Sequence, residues 1–440
     1  MVQVARSTAA ALPQLHARPT RLAAQQLHIA APLPLRGNGG NSSSNNSGSR
    51  GVGGAAALVL RGSSHLRVPR LQVRACSGGE GGEEQESFTV TTPLFYVNAP
   101  PHMGSAYPTI AADAAARFQR LRGKNVRFVT GTDEHGEKIA QAAAKNGYDD
   151  PQQHCDAMAA LYQQLWAQLE VEYDSFVRTT QPQHEALVRE FLQRVWDKGD
   201  IYKASYEGRY CVGCEEYKDE QELLEGHRCP VHLTECEERK EENYFFRLSA
   251  YQKELEHLLQ EQPDFCQPEA RRNEVLSWVR QGLRDFSISR AAVKWGIPIP
   301  QEPEQTVYVW FDALTGYLSA LLEEEQQQQL AASGEADGHR SSSSGSMLEH
   351  VVASGSWPAS AHLIGKDILR FHVVYWPAML MSAGLPLPKR VYGHGFLTKD
   401  GLKMGKSLGN VLEPTELTAQ YGADAVRFYF LKEIQFGLDG

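Results

Sequence analysis

Two close pairs of metal-binding residue types stand near the middle of the chain. Cys211-Val212-Gly213-Cys214 is followed, after fourteen residues, by Cys229-Pro230-Val231-His232. Three thiolates and one imidazole in this spacing suit tetrahedral zinc, and no coordination position stays open for a substrate. The pattern therefore predicts a structural ion. Cys236, four residues beyond His232, competes for the fourth place, while Cys76, Cys155 and Cys266 are isolated and read as ordinary thiols.

Two other segments have the residue types for phosphate chemistry. In Pro101-His102-Met103-Gly104-Ser105, a glycine at the mouth of a helix lets backbone approach a ligand, and the helix start favours an anion. His102 is placed to donate to a phosphate oxygen as charge builds on it. Lys403-Met404-Gly405-Lys406-Ser407 follows the turn signal Asp400-Gly401 and offers two ammonium groups on a flexible loop that can close on a polyphosphate. Taken singly, the first segment is a helix cap and the second a solvated basic loop.

The elements that must position these residues alternate between strand and helix. Ser87–Thr92 is β-prone and leads into Pro93-Leu94-Phe95-Tyr96. A helix follows Pro101, with Ile110, Ala114, Phe118 and Leu121 marking its apolar face and Gly123 past its end. Val126–Thr130 is an apolar strand stopping at Gly131-Thr132-Asp133, with helix from there to about Gln168. Thr306–Phe311 reads as a strand ending at Asp312. His362–Ile364 reads as a strand ending at Gly365-Lys366-Asp367, with a helix to about Ser382. Such alternation predicts an α/β fold with a doubly wound parallel sheet, in which ligands bind at the carboxyl ends of the strands.

Charge is divided unevenly. Residues 1–79 hold nine Arg, no Lys and no acid, so the rest of the chain carries 35 basic against 53 acidic residues, a balance of −18. A body this acidic is no general nucleic-acid binder, so DNA is not an expected partner and RNA contacts need local basic patches. No apolar run is long enough for a membrane span. The Arg-, Ala- and Ser-rich start matches an organellar transit peptide and the acidic run 80–87 a linker; the seven Cys are read in a reducing compartment. The Glu-, Gln- and Ser-rich stretch 323–346 reads as an exposed insertion.

Together the phosphate segments resemble the HIGH and KMSKS signatures of class I aminoacyl-tRNA synthetases, in the expected order. Thr91-Thr92-Pro93-Leu94-Phe95-Tyr96-Val97-Asn98, Gly131-Thr132-Asp133-Glu134-His135-Gly136, Tyr308-Val309-Trp310-Phe311-Asp312-Ala313-Leu314 and Leu363-Ile364-Gly365-Lys366-Asp367 resemble motifs of the methionyl-tRNA synthetase family, particularly its plant organellar and bacterial one-zinc forms. The resemblance covers nearly all of residues 88–440. It implies a Rossmann-like catalytic domain in two halves (88–203 and 276–395), an inserted zinc-knuckle connective domain (204–275), and a signature loop with the start of a stem-contact region (396–440).

It further implies ATP-dependent formation of methionyl-adenylate, then transfer to the terminal adenosine of tRNA(Met), in chloroplast, mitochondrion or both. His102, Lys403 and Lys406 would stabilise the phosphates, with a magnesium ion accompanying ATP. Gly104, Ser105, Gly365, Asp367 and Ser407 would also contact the nucleotide. Leu94, Tyr96, Asp133, Trp310, Ala313, Tyr317, Ile368, His372 and Trp376 would hold methionine. Asp133 would meet its ammonium, and the aromatic rings suit a thioether. Ile368, His372 and Trp376, spaced by four, would share one helix face.

Two signature positions depart from the pattern: Ser105 stands for a His and Gly405 for a Ser. The chain stops at Gly440, where the family continues into a helical anticodon-binding domain, so methionine activation with weak aminoacylation is the expectation. About 130 residues between the sheet halves leave no room for the editing domain of Leu, Ile or Val enzymes. A synthetase-derived RNA-binding protein without catalysis is the reading from another class.

Overall fold

The computed structural model describes residues 85–439 apart from 219, 231, 323–345, 400–401, 405–411 and 435–436. The transit-peptide and insertion readings fall outside the described residues, as do Lys406 and Ser407. Among the described residues no helix is long and apolar enough to cross a membrane.

Six parallel strands form the central sheet: β1 (Ser87–Tyr96), β2 (Asn125–Asp133), β3 (Ser175–Arg178), β7 (Cys266–Gln267), β12 (Ala361–Gly365) and β13 (Val391–His394). Their order is β3-β2-β1-β12-β13-β7. β1 pairs with β2 on one side and with β12 on the other, so the two halves of the chain meet beside β1. That reversal of order is where a doubly wound sheet opens a crevice beyond its carboxyl ends.

Between β3 and β7 the chain builds an antiparallel sheet from β4 (Ile201–Cys211), β5 (Glu216–Lys218) and β6 (Glu237–Phe246), which β8 (Phe286–Ser287) joins from beyond β7, in the order β5-β4-β6-β8. β9 (Ser289–Arg290), β10 (Pro298–Ile299) and β11 (Glu302–Val307) make a smaller antiparallel sheet. The expected strand through Phe311 ends at Val307. Tyr308 caps helix α7 (Val309–Ser319), in which Val309, Phe311, Asp312, Ala313 and Leu314 are all buried. A helix buried on nearly every side has no polar stripe, and over so short a run it reads like a strand.

The remaining helices are α1 (Met103–Leu121), α2 (Glu137–Lys145), α3 (Pro151–Gln168), α4 (Pro182–Asp197), α5 (Gln252–Glu261), α6 (Glu269–Arg280), α8 (Met347–Ala353), α9 (Trp376–Ala383), α10 (Pro414–Tyr421) and α11 (Ala423–Glu433). The expected apolar face of α1 holds only in part. Ile110 is fully buried, but Phe118 is 58% and Leu121 88% exposed. The buried positions of the helix run from Met103 to Ala116, where it packs on β1 and β2, and its last turn carries no buried residue.

Candidate functional site

The amino-acid cavity opens where β1, β2, α7 and the turn after β12 converge, and encloses about 200 Å³. Leu94 and Tyr96 enter from β1 and Asp133 from the last position of β2. Trp310, Ala313 and Tyr317 come from one stripe of α7, and Ile368 and His372 from beyond Gly365. Eight of the nine residues expected at the methionine thus line one cavity.

Trp376 does not line it. A 3-10 turn (Lys366–Ile368) and a π-helical turn (Phe371–Tyr375) precede α9. A π turn inserts a residue into the helical repeat, so Trp376 rotates off the face shared by Ile368 and His372. Its ring stands behind Tyr317, with centres 6.4 Å apart. Trp310 meanwhile stacks flat on Phe371 at 3.8 Å, closing one wall.

The cavity is polarised. At its apolar end His372 Nδ1 donates to Ile368 O (3.0 Å), which fixes the tautomer and leaves Nε2 to accept from the Tyr317 hydroxyl (2.7 Å). Burial pushes the His372 pKa down to about 4, so the ring is neutral at pH 7. At the other end Asp133 is buried and its Oδ1 has no hydrogen-bond partner. Burial, then the charges of Asp312, Glu215 and Glu134, hold its carboxyl well above the usual carboxylate range. A carboxylate so placed favours a cationic ligand group.

Two features beside the cavity were not read from the sequence. Asp312 sits between His135 Nδ1 (2.7 Å) and His184 Nε2 (2.6 Å). Burial opposes charge on His135, yet the adjoining Asp312 carboxylate raises its pKa. Glu215, the residue after Cys214, accepts from the Tyr96 hydroxyl (2.6 Å) and from Lys138 N (3.0 Å). Gly213, Cys214 and Glu215 therefore form part of the cavity wall. The signal for these was long-range pairing, which residue spacing does not carry.

On the phosphate side His102 is the N-cap of α1. Its Nδ1 accepts from Gly104 N (2.9 Å), and the Ser105 hydroxyl accepts from His102 N (3.3 Å), a capping box. Ser105 is buried and its hydroxyl serves the helix start. A Cβ on Gly104 would lie 2.6 Å from the His102 ring, so only glycine permits this cap. Gly365 ends β12, the strand beside β1, and the exposed Asp367 follows it. Gly365 pairs with His394, whose pKa burial lowers and whose ring meets Tyr107 edge-on at 5.2 Å. Lys403 lies on β15 (Leu402–Lys403), paired with β14 (Thr398–Lys399), and Met404 N donates to Leu397 O (2.9 Å).

The donors of Cys211, Cys214, Cys229 and His232 lie within 4.8 Å of one another and could hold a metal ion. His232 Nδ1 is 3.3 Å from Cys214 Sγ and 3.7 Å from the sulfurs of Cys211 and Cys229. A Cβ on Gly213 would come within 2.6 Å of the His232 ring, so the glycine makes room for the fourth donor.

Residues 88–238 and 219–440 match the family of class I tRNA synthetases (M). The chain belongs to that class I synthetase family. Among relatives of this class I (M) chain, the chloroplastic/mitochondrial methionine–tRNA ligase of Arabidopsis thaliana is 63% identical over 358 residues, covering 81% of this chain and 55% of that protein. The methionine–tRNA ligase of Thermosynechococcus vestitus is 59% identical, covering 80% and 63%. Among solved structures, Mycobacterium tuberculosis methionyl-tRNA synthetase in complex with methionyl-adenylate superposes with a TM-score of 0.72 at 43% identity, covering 81% of this chain and 66% of that one. The chain thus spans between about half and two thirds of the length of these relatives.

Proposed function

We propose that this chain activates methionine with ATP and passes the methionyl group to the 3′-terminal adenosine of tRNA(Met), serving translation in an organelle. The observation that carries the reading is the unpartnered Asp133 carboxylate facing a cavity whose far end is neutral and aromatic. That polarity fits an amino acid with an ammonium and an uncharged thioether. The relatives' names support the amino acid and the tRNA, and the Arabidopsis name supports the organelle.

The methionine carboxylate attacks the α-phosphate of ATP in line, and pyrophosphate leaves. A ribose hydroxyl of the tRNA's last adenosine, the 2′-OH by the class I habit, then displaces AMP from the adenylate. Positioning and charge stabilisation do the work, without a covalent enzyme intermediate. Asp133 and the aromatic wall orient methionine so that its carboxylate faces the crevice beside β1. His102, Lys403 and Lys406 balance charge on the phosphates, while Gly104, Ser105, Gly365, Asp367 and Ser407 accommodate the nucleotide. A magnesium ion accompanying ATP would neutralise part of the phosphate charge.

The set of three cysteines and one histidine fits zinc. With sulfur about 2.3 Å and nitrogen about 2.0 Å from the ion, tetrahedral edges come to roughly 3.5–3.8 Å. The Cys214–Cys229 sulfurs are 3.6 Å apart, and two of the three nitrogen–sulfur contacts measure 3.7 Å. The ion is structural, and no reaction step passes through it. We place residues 204–275 as the connective domain, 88–203 and 276–395 as the catalytic halves and 396–440 as the signature loop with the start of the stem-contact region. Residues 1–79 are the organellar import segment.

Pyrophosphate exchange with each of the twenty amino acids in turn tests this. Exchange with methionine alone is expected. Exchange with several aliphatic amino acids would remove the substrate assignment. No exchange from a folded, metal-loaded chain would leave an RNA-binding role as the better reading.

A further inference from the structure

The metal knuckle contains a fifth donor, a sulfur that the four-donor set leaves out. After Cys229 the chain makes a turn closed by Leu233 N to Cys229 O (2.8 Å) and Cys229 N to Thr234 O (2.9 Å). It then runs back until Cys236 N donates to His227 O (2.9 Å). This return brings Cys236 inside the knuckle. Its side chain is only 1% exposed and packs with Cys211 and Cys229 in one buried cluster. His232 faces solvent more than Cys211 or Cys229 does. The sulfur outside the shell is therefore better sheltered than the imidazole within it.

We propose that Cys236 is the exchange ligand of this metal site: it replaces His232 when the imidazole leaves, turning a shell of three thiolates and one imidazole into one of four thiolates without losing the ion. The inference rests on the zinc reading above. In the exchange the metal–nitrogen bond breaks and a metal–sulfur bond forms. The Cys236 proton passes to solvent or to the departing imidazole, and no oxidant or reductant is involved. Zinc has no electronic preference between the two shells and accepts thiolate and imidazole alike, so donor reach decides, and Cys236 already packs with two of the cysteine ligands. The exchange protects more than the knuckle. Gly213, Cys214 and Glu215 form part of the amino-acid cavity wall, so losing the ion would loosen that wall.

The test uses the full chain, with zinc per chain and the thiolate-to-cobalt charge-transfer band of the cobalt-substituted protein as readouts. Wild type and Cys236→Ser should each hold one zinc. His232→Ala should also hold one, with a charge-transfer band about 1.3-fold stronger, because four thiolates replace three. The double variant His232→Ala/Cys236→Ser should hold none.

Loss of zinc from His232→Ala as complete as from the double variant overturns the proposal. So does loss from Cys236→Ser alone, which would make Cys236 a primary ligand. A wild-type chain that binds no zinc overturns the zinc reading itself, and the exchange with it.

Because His232→Ala could misfold, a second measurement stands on near-native protein. Zinc transfer to a chromophoric chelator should run about tenfold faster from Cys236→Ala than from wild type. Equal rates refute the exchange role.

Discussion

Replacing Asp133 by Asn separates binding from folding at this site. In the free protein the carboxylate is buried, lacks a partner at Oδ1, and sits among Asp312, Glu215 and Glu134. Removing its charge relieves that repulsion, so the unliganded variant should melt no lower than wild type. With methionine bound, the same change leaves an ammonium buried without its counter-charge. Removing one partner of a buried pair costs about 3–5 kcal/mol. At about 1.4 kcal/mol per tenfold, the KM for methionine in pyrophosphate exchange should rise by roughly two to three and a half orders of magnitude. A KM within about threefold of wild type would refute the ammonium contact, and a collapsed melting temperature would make Asp133 a structural residue.

The pH dependence follows with a definite sign. Because folding raises the Asp133 pKa, its stabilising contribution is fully present below the unfolded value of about 3.9. It is lost as pH rises through the folded value. At neutral pH the free protein therefore bears the cost of the buried charge, and a bound ammonium offsets it. Methionine should raise the melting temperature more at pH 7.5 than at pH 5, and that difference should vanish in Asp133→Asn.

Three further substitutions probe the other parts. Gly213→Ala drives a Cβ into the His232 ring; zinc retention in a chelator challenge should fall at least tenfold. Ser105→Ala removes half of the α1 capping box and should lower stability by about 0.5–2 kcal/mol in a denaturant titration. Adenylation by that variant should change far less than in His102→Ala. Lys406→Ala should slow single-turnover adenylation by about 10²- to 10³-fold, the usual loss for one charge-stabilising donor, with an unchanged melting curve. Normal adenylation by that variant would remove its phosphate role.

What the sequence made legible and what it hid divide along a physical line. Residues in local motifs at strand ends were legible because a β-strand fixes where its last residue goes. Asp133 ends β2 and Gly365 ends β12, and these strands flank β1 where the two halves meet. The eight cavity residues followed from the resemblance those motifs carry. What failed depended on the helical repeat: a spacing of four placed Trp376 beside His372, and the π-helical turn Phe371–Tyr375 moved it behind Tyr317. Chain-distant pairs were equally hidden. Glu215 reaches Tyr96 across 119 positions, and His184 reaches Asp312 across 128. Glu215 belongs to the cavity wall, and Asp312 and Glu215 are the two leading charges that raise the Asp133 carboxyl. The pairings that hold those two charges in place therefore lie outside the spacing of every motif that announced Asp133. A change at Glu215 or Asp312 should shift the pH at which methionine binds while leaving every phosphate-signature residue in place.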